Sequence, residues 1–520
     1  MPRREPVFKP VAYQRAESLK VIVGVYRKHT HKYSTYNNNL QASRCPRCGF
    51  VEREKTHVDY GYEIDLIVKP ESSVPLFNRE FAAFTGSGIP LFSIGGGASR
   101  QALSMILAGF HANRGYYVVE TPIIASSELF KVSGHLQYYR KNMFIFDIEG
   151  HDFVVKPMNC PYHILLFLNH VAKSRGKTPI PFKVYELGRV HRYEPSGSLY
   201  GLLRVRGFTQ DDAHIILTGE HVGSTVKSIF DEMKTILEKV FKLEVTEESI
   251  HMRLSLADKE LIGEEFMGSF EEWATVESSI EEAAKEIRDD HGIPYTKLEG
   301  EAAFYGPKID FLMRVEESGS TKEWQLGTIQ FDFNLPRRFK LNEILSQTHG
   351  VSQVYIIHRA LLGSIERFLG VYLEHFKGRL PAYLAPVQVA VIGIRTGDRE
   401  IDSRIEKATR EIKEGLVRNG LRVARGLTDK TSISGYVRHI ESTIKPPINI
   451  FIGLKEVTQG FATLYVFDHK ARRREKKVVE GLEPAEIVGR VEEIIGELEK
   501  EVIAVSGVKP RVPGDYSHLL

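Results

Sequence analysis

Cysteine is scarce in this chain: three residues in 520, an odd number, which excludes a disulfide-stapled scaffold and points to a reducing compartment. Long apolar runs are also missing. No uninterrupted apolar window of about 18 residues occurs, so no membrane-spanning helix is expected. The first residues, Met1 to Arg15, contain no apolar h-region and do not read as a signal peptide. Neither sign of charge dominates. The net charge is +3, so any nucleic-acid contact must be local. The glycine-rich run from Gly86 to Gly97 has the spacing of neither a Walker loop nor a dinucleotide fingerprint, and reads as a loop. With 42% hydrophobic and 26% charged residues, the composition is that of an ordinary globular protein. The expectation is a cytoplasmic chain of about three domains.

The densest chemistry lies between Tyr185 and Leu217. Two strand-like halves are joined by the turn-rich Pro195, Ser196, Gly197 and Ser198. Arg189, Arg192, Arg204 and Arg206 crowd the stretch, and Gln210, Asp211, Asp212 and His214 close it. Guanidinium forks match phosphate and carboxylate, while the acidic pair and the histidine suit an ammonium group or a metal. Four arginines alone would more often mark a solvated hairpin, so the rest of the chain has to decide.

This segment resembles motif 2 of the class II aminoacyl-tRNA synthetases, specifically their threonyl branch of the archaeal-like type that lacks an editing domain in the same chain. Other elements extend the resemblance over about residues 75 to 505. Leu103, Ile106, Leu107 and Phe110 follow helical spacing, with Ser99 a plausible N-cap, and a strand from Tyr116 to Val119 ends at Thr121-Pro122. This helix–strand pair resembles motif 1, which implies a homodimer. Gly363 to Phe368, on a helix through Tyr372, resembles motif 3.

The resemblance implies a set of roles. Cys160, His214 and His358 match the branch's zinc ligands, although long separations leave them undecidable by spacing. Three protein ligands leave a tetrahedral ion an open position, which substrate threonine would fill through its amino and hydroxyl groups. Arg192 would hold the α-phosphate of ATP and Arg367 the γ-phosphate, with Mg2+ accompanying the nucleotide. Phe208 and Arg367 would sandwich the adenine while Glu194 reads its amino edge, and Arg204, Gln325 and Ser364 would complete the ATP site. Met158, Gln210, Asp212, Tyr305, Lys308 and Gln330 would line the amino-acid pocket, with Asp212 toward the ammonium group and Lys308 also placed among the catalytic residues. His135, in a Ser-Gly-His run, would deprotonate the terminal ribose of tRNA(Thr) for acyl transfer. A prolyl or seryl ligase fits less well, because a proline pocket has no use for that zinc. A silent tRNA-binding protein would tolerate losing Arg192, Arg367 or a ligand, yet all are present.

The expected fold is α/β and multidomain. Residues 76–380 would form the class II antiparallel sheet flanked by helices. Residues 381–505 would form a three-layer α/β/α anticodon-binding domain, where strand Val387–Ile394, a helix bearing Ile401, Ile405, Ile412 and Leu416, and strands at Leu421–Ala424 and Asn449–Gly453 alternate. The basic run from His469 to Lys477 would touch phosphate. The acidic helix from Glu271 to Asp290 reads as a solvated face. Residues 506–520 are expected to be a flexible tail. Residues 1–75 would be a small N-terminal domain with short strands at Leu19–Tyr26, Phe50–Val51 and Tyr60–Val68. It contains Cys45 and Cys48 as half of a zinc knuckle, to which His29, His31 or His57 could add ligands. This segment shows no histidine-rich hydrolytic motif, so editing of seryl-tRNA is expected in trans, by a separate protein.

Overall fold

The computed structural model describes residues 85–517 except 175–176, 318–319, 352, 469–472 and 482, together with a two-residue strand pair, Ser43–Arg44 against Val51–Glu52. Cys45, Cys48 and the three histidines weighed with them lie outside the described residues, as do Leu19–Tyr26, Phe50 and Tyr60–Val68.

The larger sheet has eight strands, in chain order β1 (Tyr117–Val118), β2 (Phe182–His191), β3 (Gly207–Leu217), β4 (Ile250–Leu256), β5 (Tyr295–Glu299), β6 (Lys308–Glu317), β7 (Ser320–Asp332) and β8 (Tyr355–Ser364). Across the sheet they run β5-β4-β6-β7-β8-β3-β2-β1. The interior pairs are antiparallel, and only the edge pairs β5–β4 and β1–β2 are parallel. Strand side chains alternate between faces, and here the alternation separates two kinds of residue. Ala213, Ile215, Ile329, Ile357 and Leu361 enter one core with the helices α1 (Ile94–Ala112), Val222–Thr235, Phe270–His291 and Ile365–His375. Asp212, His214, Thr328, Gln330, His358 and Ala360, at even-numbered positions of the same strands, line the site described below.

Helix α1 begins six residues earlier than a Ser99 N-cap implies. Ser93, not Ser99, is the N-cap, its Oγ accepting from the Gly96 amide at 3.0 Å; Ser99 sits inside the helix and donates to Gly95 O. The end of the glycine run is therefore helical. Glycine weakens a helix interior by about 1 kcal/mol per residue, but a Cβ on Gly95 would lie 2.9 Å from Pro386 Cβ. The missing side chain is what lets that segment pack there. The acidic helix Phe270–His291 has a solvated face as expected, and its other side buries Trp273, Val276, Ile280, Ala283, Ala284 and Ile287 behind a Ser269–Glu272 capping box.

The second sheet has six strands: β9 (Val389–Arg395), β10 (Arg422–Asp429), β11 (Ile448–Ile452), β12 (Phe461–Asp468), β13 (Arg473–Glu480) and β14 (Gly514–Asp515), ordered β13-β12-β11-β9-β10-β14. Its centre is parallel, and β12 and β13 add an antiparallel hairpin. The helix Arg399–Arg418 buries Ile405, Ala408, Ile412 and Leu416 against it, and Pro484–Ser506 buries Ile487, Val491 and Ile495. Asn419 caps the first of these helices.

The expectation of a flexible tail is overturned. Residues 514–516 lie along the edge of β10: Gly514 and Asp515 pair in parallel with Arg422 and Val423, and the Tyr516 amide donates to Val423 O at 2.7 Å. Tyr516 is 5% exposed and packs with Ala98, Val387, Ala424 and Ile444. Arg511 is held by Glu492 and Glu499. The segment lacks a long hydrophobic period because a single aromatic ring and one ion cluster anchor it. Replacing Tyr516 with alanine is expected to destabilise the fold by about 3 kcal/mol, the order seen for buried aromatic truncation. Chemical denaturation checks this, since an unanchored tail would leave the midpoint unchanged.

Candidate active site

Register builds the floor of the site. His214 on β3 stands opposite His358 on β8, His358 opposite Gln330 on β7, and Gln330 opposite Lys308 on β6. One row further along, Glu186, Asp212, Ala360, Thr328 and Asp310 align in the same way. A cavity of about 1060 Å3 opens over these rows. It is lined by Arg192, Gln210, Asp212, Lys308 and Gln330, and also by Met158, Tyr305, Cys160, His214 and His358. Gly306 makes this possible, because a Cβ there would fall 1.8 Å from Phe331 O.

At one end lies a compact donor cluster. Cys160 is the first residue of helix α2 (Cys160–Ser174) and is 1% exposed. Its Sγ and the ring nitrogens of His214 and His358 all fall within 4.8 Å of one another. His214 Nε2 is 2.9 Å from His358 Nδ1. The outer nitrogens are also held: His358 Nε2 meets Asp332 Oδ2 at 2.8 Å, and His214 Nδ1 meets His163 Nδ1 at 2.7 Å. Burial, then the neighbouring His358 and His163, push His214 well below the usual imidazole range, which keeps it neutral. Burial, then Asp212 and Asp332, push the Cys160 thiol up, so a cation at the centre is what would make it a thiolate ligand. Two imidazoles and one thiol, with the outer imidazole nitrogens anchored, fit zinc with an open fourth position.

Beside this cluster, the Tyr305 ring stacks on His358 with centroids 4.8 Å apart, and its hydroxyl donates to Gln330 Oε1. Asp212 Oδ2 accepts from Asn159 Nδ2 at 2.8 Å, and burial raises its pKa. Lys308 Nζ pairs with Asp310 Oδ2 at 2.8 Å.

The other end is cationic. Arg192 lies over the Phe208 ring at 5.1 Å from its centroid, and its Nε donates to Pro157 O at 3.3 Å. Arg204 pairs with Glu194 at 2.9 Å. Arg367 donates to Leu203 O at 2.9 Å, and burial, then the charges of Arg192 and Arg204, lower its pKa. Three guanidiniums that repel one another around a single carboxylate make a place for an anion. Ser364 caps the helix Ile365–His375, accepting from the Arg367 amide at 3.3 Å.

Several expected residues, Arg367, Glu194, Arg204, Phe208, Ser364 and Gln325, lie outside the cavity lining. Gln325 is turned to Asp310, donating to Oδ1 at 2.6 Å. His135 is fully buried, with Nδ1 2.8 Å from Ser133 Oγ and Nε2 3.2 Å from Met158 Sδ. Burial pushes its pKa down to about 3. Sequence reasoning missed Asp310, Asp332, Asn159 and His163. The two-residue strand spacing from Lys308 to Asp310 and from Gln330 to Asp332 puts each aspartate on the site face. The three-residue helical spacing from Cys160 to His163 does the same for that histidine.

A predominantly antiparallel sheet with this hairpin, arginine cluster and capped helix defines a class II aminoacyl-tRNA synthetase core, and residues 142–376 match the tRNA synthetase class II core domain (G, H, P, S and T). The chain is 60% identical over 468 residues to a threonine–tRNA ligase catalytic subunit from Aeropyrum pernix, covering 90% of this chain and 99% of that one. It therefore belongs to the threonine–tRNA ligase family of class II synthetases. A crystal structure described as a threonyl-tRNA synthetase from Aeropyrum pernix superposes with a TM-score of 0.81 at 60% identity, over 90% of this chain and 100% of that chain. The threonine–tRNA ligase of Aquifex aeolicus is 38% identical over 71% of this chain, which spans only 54% of that longer protein.

On the opposite face of the sheet, Asp211 accepts from the Leu361 and Leu362 amides and lies 3.7 Å from buried Arg359. His111, fully buried, stacks on Tyr185. Burial, then the Arg359 charge, hold its pKa well below 6.5. The unfolded chain takes up this proton below pH of about 6.5 and the folded chain does not, so stability is lost as pH falls through that region. Urea titrations at pH 7.5 and 5.5 are expected to show the loss. In His111→Leu the slope should be smaller by up to about 1.4 kcal/mol per pH unit.

Proposed function

We propose that this chain activates threonine with ATP to threonyl-adenylate and transfers the threonyl group to the 3′ end of tRNA(Thr). The observation that carries this reading is a cavity lined by both the Cys/His/His donor set and Arg192, with Arg204 and Arg367 near Arg192 but outside the cavity lining. The cluster Arg192, Arg204 and Arg367 would receive the triphosphate with its Mg2+, Arg192 at the α-phosphate and Arg367 at the γ-phosphate. Phe208, Glu194, Gln325 and Ser364 would serve the adenosine side. Attack by the threonine carboxylate is then a matter of alignment and of fixed charge where the phosphate crowds, which preorganised guanidiniums supply.

Cys160, His214 and His358 would hold a zinc ion, which would supply Lewis acidity toward an amino and a hydroxyl group. Asp212 would face the ammonium end, and Tyr305, Lys308, Gln330, Gln210 and Met158 would close the pocket round the side chain. A site built to engage a hydroxyl rejects valine strongly, whereas serine lacks only a methyl group, worth about 1–3 kcal/mol. Editing of seryl-tRNA therefore falls to a separate protein in this reading, which accords with the Aeropyrum relative's designation as a catalytic subunit. His135, neutral at working pH, would act on the terminal ribose once Met158 uncovers its Nε2.

The six-stranded sheet would bind the anticodon arm. A homodimer would form about the β1 edge, where Tyr117, Val118, Ile123 and Ile124 are exposed. No helix among the described residues is long and apolar enough to cross a membrane, and the reaction proposed is one of cytoplasmic protein synthesis.

ATP–pyrophosphate exchange tests the reading. Exchange is expected with threonine, more weakly with serine and not with valine or proline, and Cys160→Ala should abolish it. Arg192→Ala should lower threonine-dependent exchange by about 100-fold or more, the scale of losing a charge-stabilising donor. No exchange with any amino acid in zinc-replete protein would overturn the proposal. With tRNA and serine, the purified chain alone should accumulate seryl-tRNA, and rapid clearance of that product would refute editing in trans.

A further inference from the structure

Three imidazoles stand in line between two carboxylates. The order is Asp332, His358, His214, His163 and Glu186, with successive contacts of 2.8, 2.9, 2.7 and 3.1 Å. All five side chains are buried. Protons along such a row are set from its ends.

Glu186 fixes one end. Its Oε1 accepts from Lys156 Nζ at 3.0 Å and from the Thr121 amide at 3.1 Å, and its Oε2 accepts from Thr121 Oγ1 at 2.8 Å. Although burial works against the charge, the hydrogen bond from His163 and the Lys156 ammonium bring its pKa down to about 2. An ionised carboxylate only accepts, so His163 Nε2 carries the proton. A metal ion on His214 Nε2 needs that nitrogen bare, which leaves the His214 proton on Nδ1. Across the 2.7 Å contact His214 Nδ1 then donates and His163 Nδ1 accepts, and His163 Nε2–H meets Glu186. At the other end His358 Nε2 meets Asp332 Oδ2, and its Nδ1 faces His214 Nε2 across 2.9 Å.

We propose that Lys156, Glu186 and His163 form a tautomer-setting relay that holds His214 with its proton on Nδ1 and Nε2 free to ligate, making His163 and Glu186 positioning residues for the zinc site. The inference rests on the metal-site reading above and adds to it three residues that do not touch the metal. His163 lies on the same face of α2 as Cys160, one helical turn on, so one helix supplies both a ligand and the orienter of another.

The isosteric variant Glu186→Gln separates orientation from packing. Lys156 Nζ and the Thr121 amide both donate to the Oε1 position, so the glutamine carbonyl takes that side and its NH2 faces His163 Nε2. His163 must then accept there and donate from Nδ1, which moves the proton of His214 onto Nε2 and blocks ligation. His163→Asn places an acceptor oxygen about where Nδ1 stands, whereas His163→Leu places none.

Zinc affinity of the purified full-length chain is measured by competition with a chromophoric chelator, together with the visible spectrum of the Co2+-substituted protein. Glu186→Gln and His163→Leu are expected to weaken zinc binding by about 10–100-fold and to alter the Co2+ bands, while His163→Asn stays within a few-fold of wild type. Should Glu186→Gln not fold, the contrast between His163→Asn and His163→Leu decides. Wild-type affinity in folded Glu186→Gln, or equal losses in the two His163 variants, would overturn the relay alone. A wild-type chain that binds no zinc would overturn the metal-site reading itself.

Discussion

The antiparallel register between β3 and β8 is the constraint on which the site depends. Opposing His214 to His358 fixes the two imidazoles 2.9 Å apart before any other group is considered. The same alternation sends Asp212 into the cavity and Asp211 into the core, where it binds the Leu361 and Leu362 amides. A slip of one residue would exchange the two carboxylates and every side chain in step with them. Such a slip would bury the site residues among the apolar side chains of the main core, so the hydrophobic pattern that folds the sheet also enforces the geometry of the chemistry.

Charge is handled differently at the two ends of the cavity. At the donor end, buried groups are satisfied in a closed series of hydrogen bonds, with carboxylates outermost and imidazoles within. At the cationic end, Arg192, Arg204 and Arg367 are anchored by carbonyls and by Glu194 but remain in excess. The first arrangement favours a small hard position of fixed shape. The second favours an extended polyanion. Of the three arginines Arg192 lines the cavity beside the donor set, so a group seated at that set would stand within reach of an anion held there.

Much of this was legible in the sequence, and the parts that were not share a physical reason. The arginine-rich hairpin, the parallel-rich second sheet and the helix bearing Ile405 and Ile412 announce themselves by local period and turn residues. Cys160, His214 and His358 could be named only through resemblance, because long chain separations carry no spacing signal. The start of α1 was misplaced because Gly95 looks like a loop until Pro386 is packed against it. The tail was misjudged because its order comes from Tyr516 and Arg511, each meeting distant partners. Asp310 and Asp332 went unremarked although they sit two residues from residues that were named; their role depends on which face of a strand they occupy, and that is settled by tertiary register.

The placement of Gly514 and Asp515 has a colloidal consequence. An exposed sheet edge is a template for adventitious pairing with another chain. The six-stranded sheet guards its two borders by unlike means: the β10 side is partly occupied by residues 514–516, while β13 presents Arg473, Lys476 and Lys477 along its length. One border is covered by backbone that consumes hydrogen-bonding groups, the other by like charges that repel a second copy of itself. At high protein concentration and low salt both defences operate. As ionic strength rises, the charged border is screened, and β13 becomes the side from which this sheet would begin to self-associate.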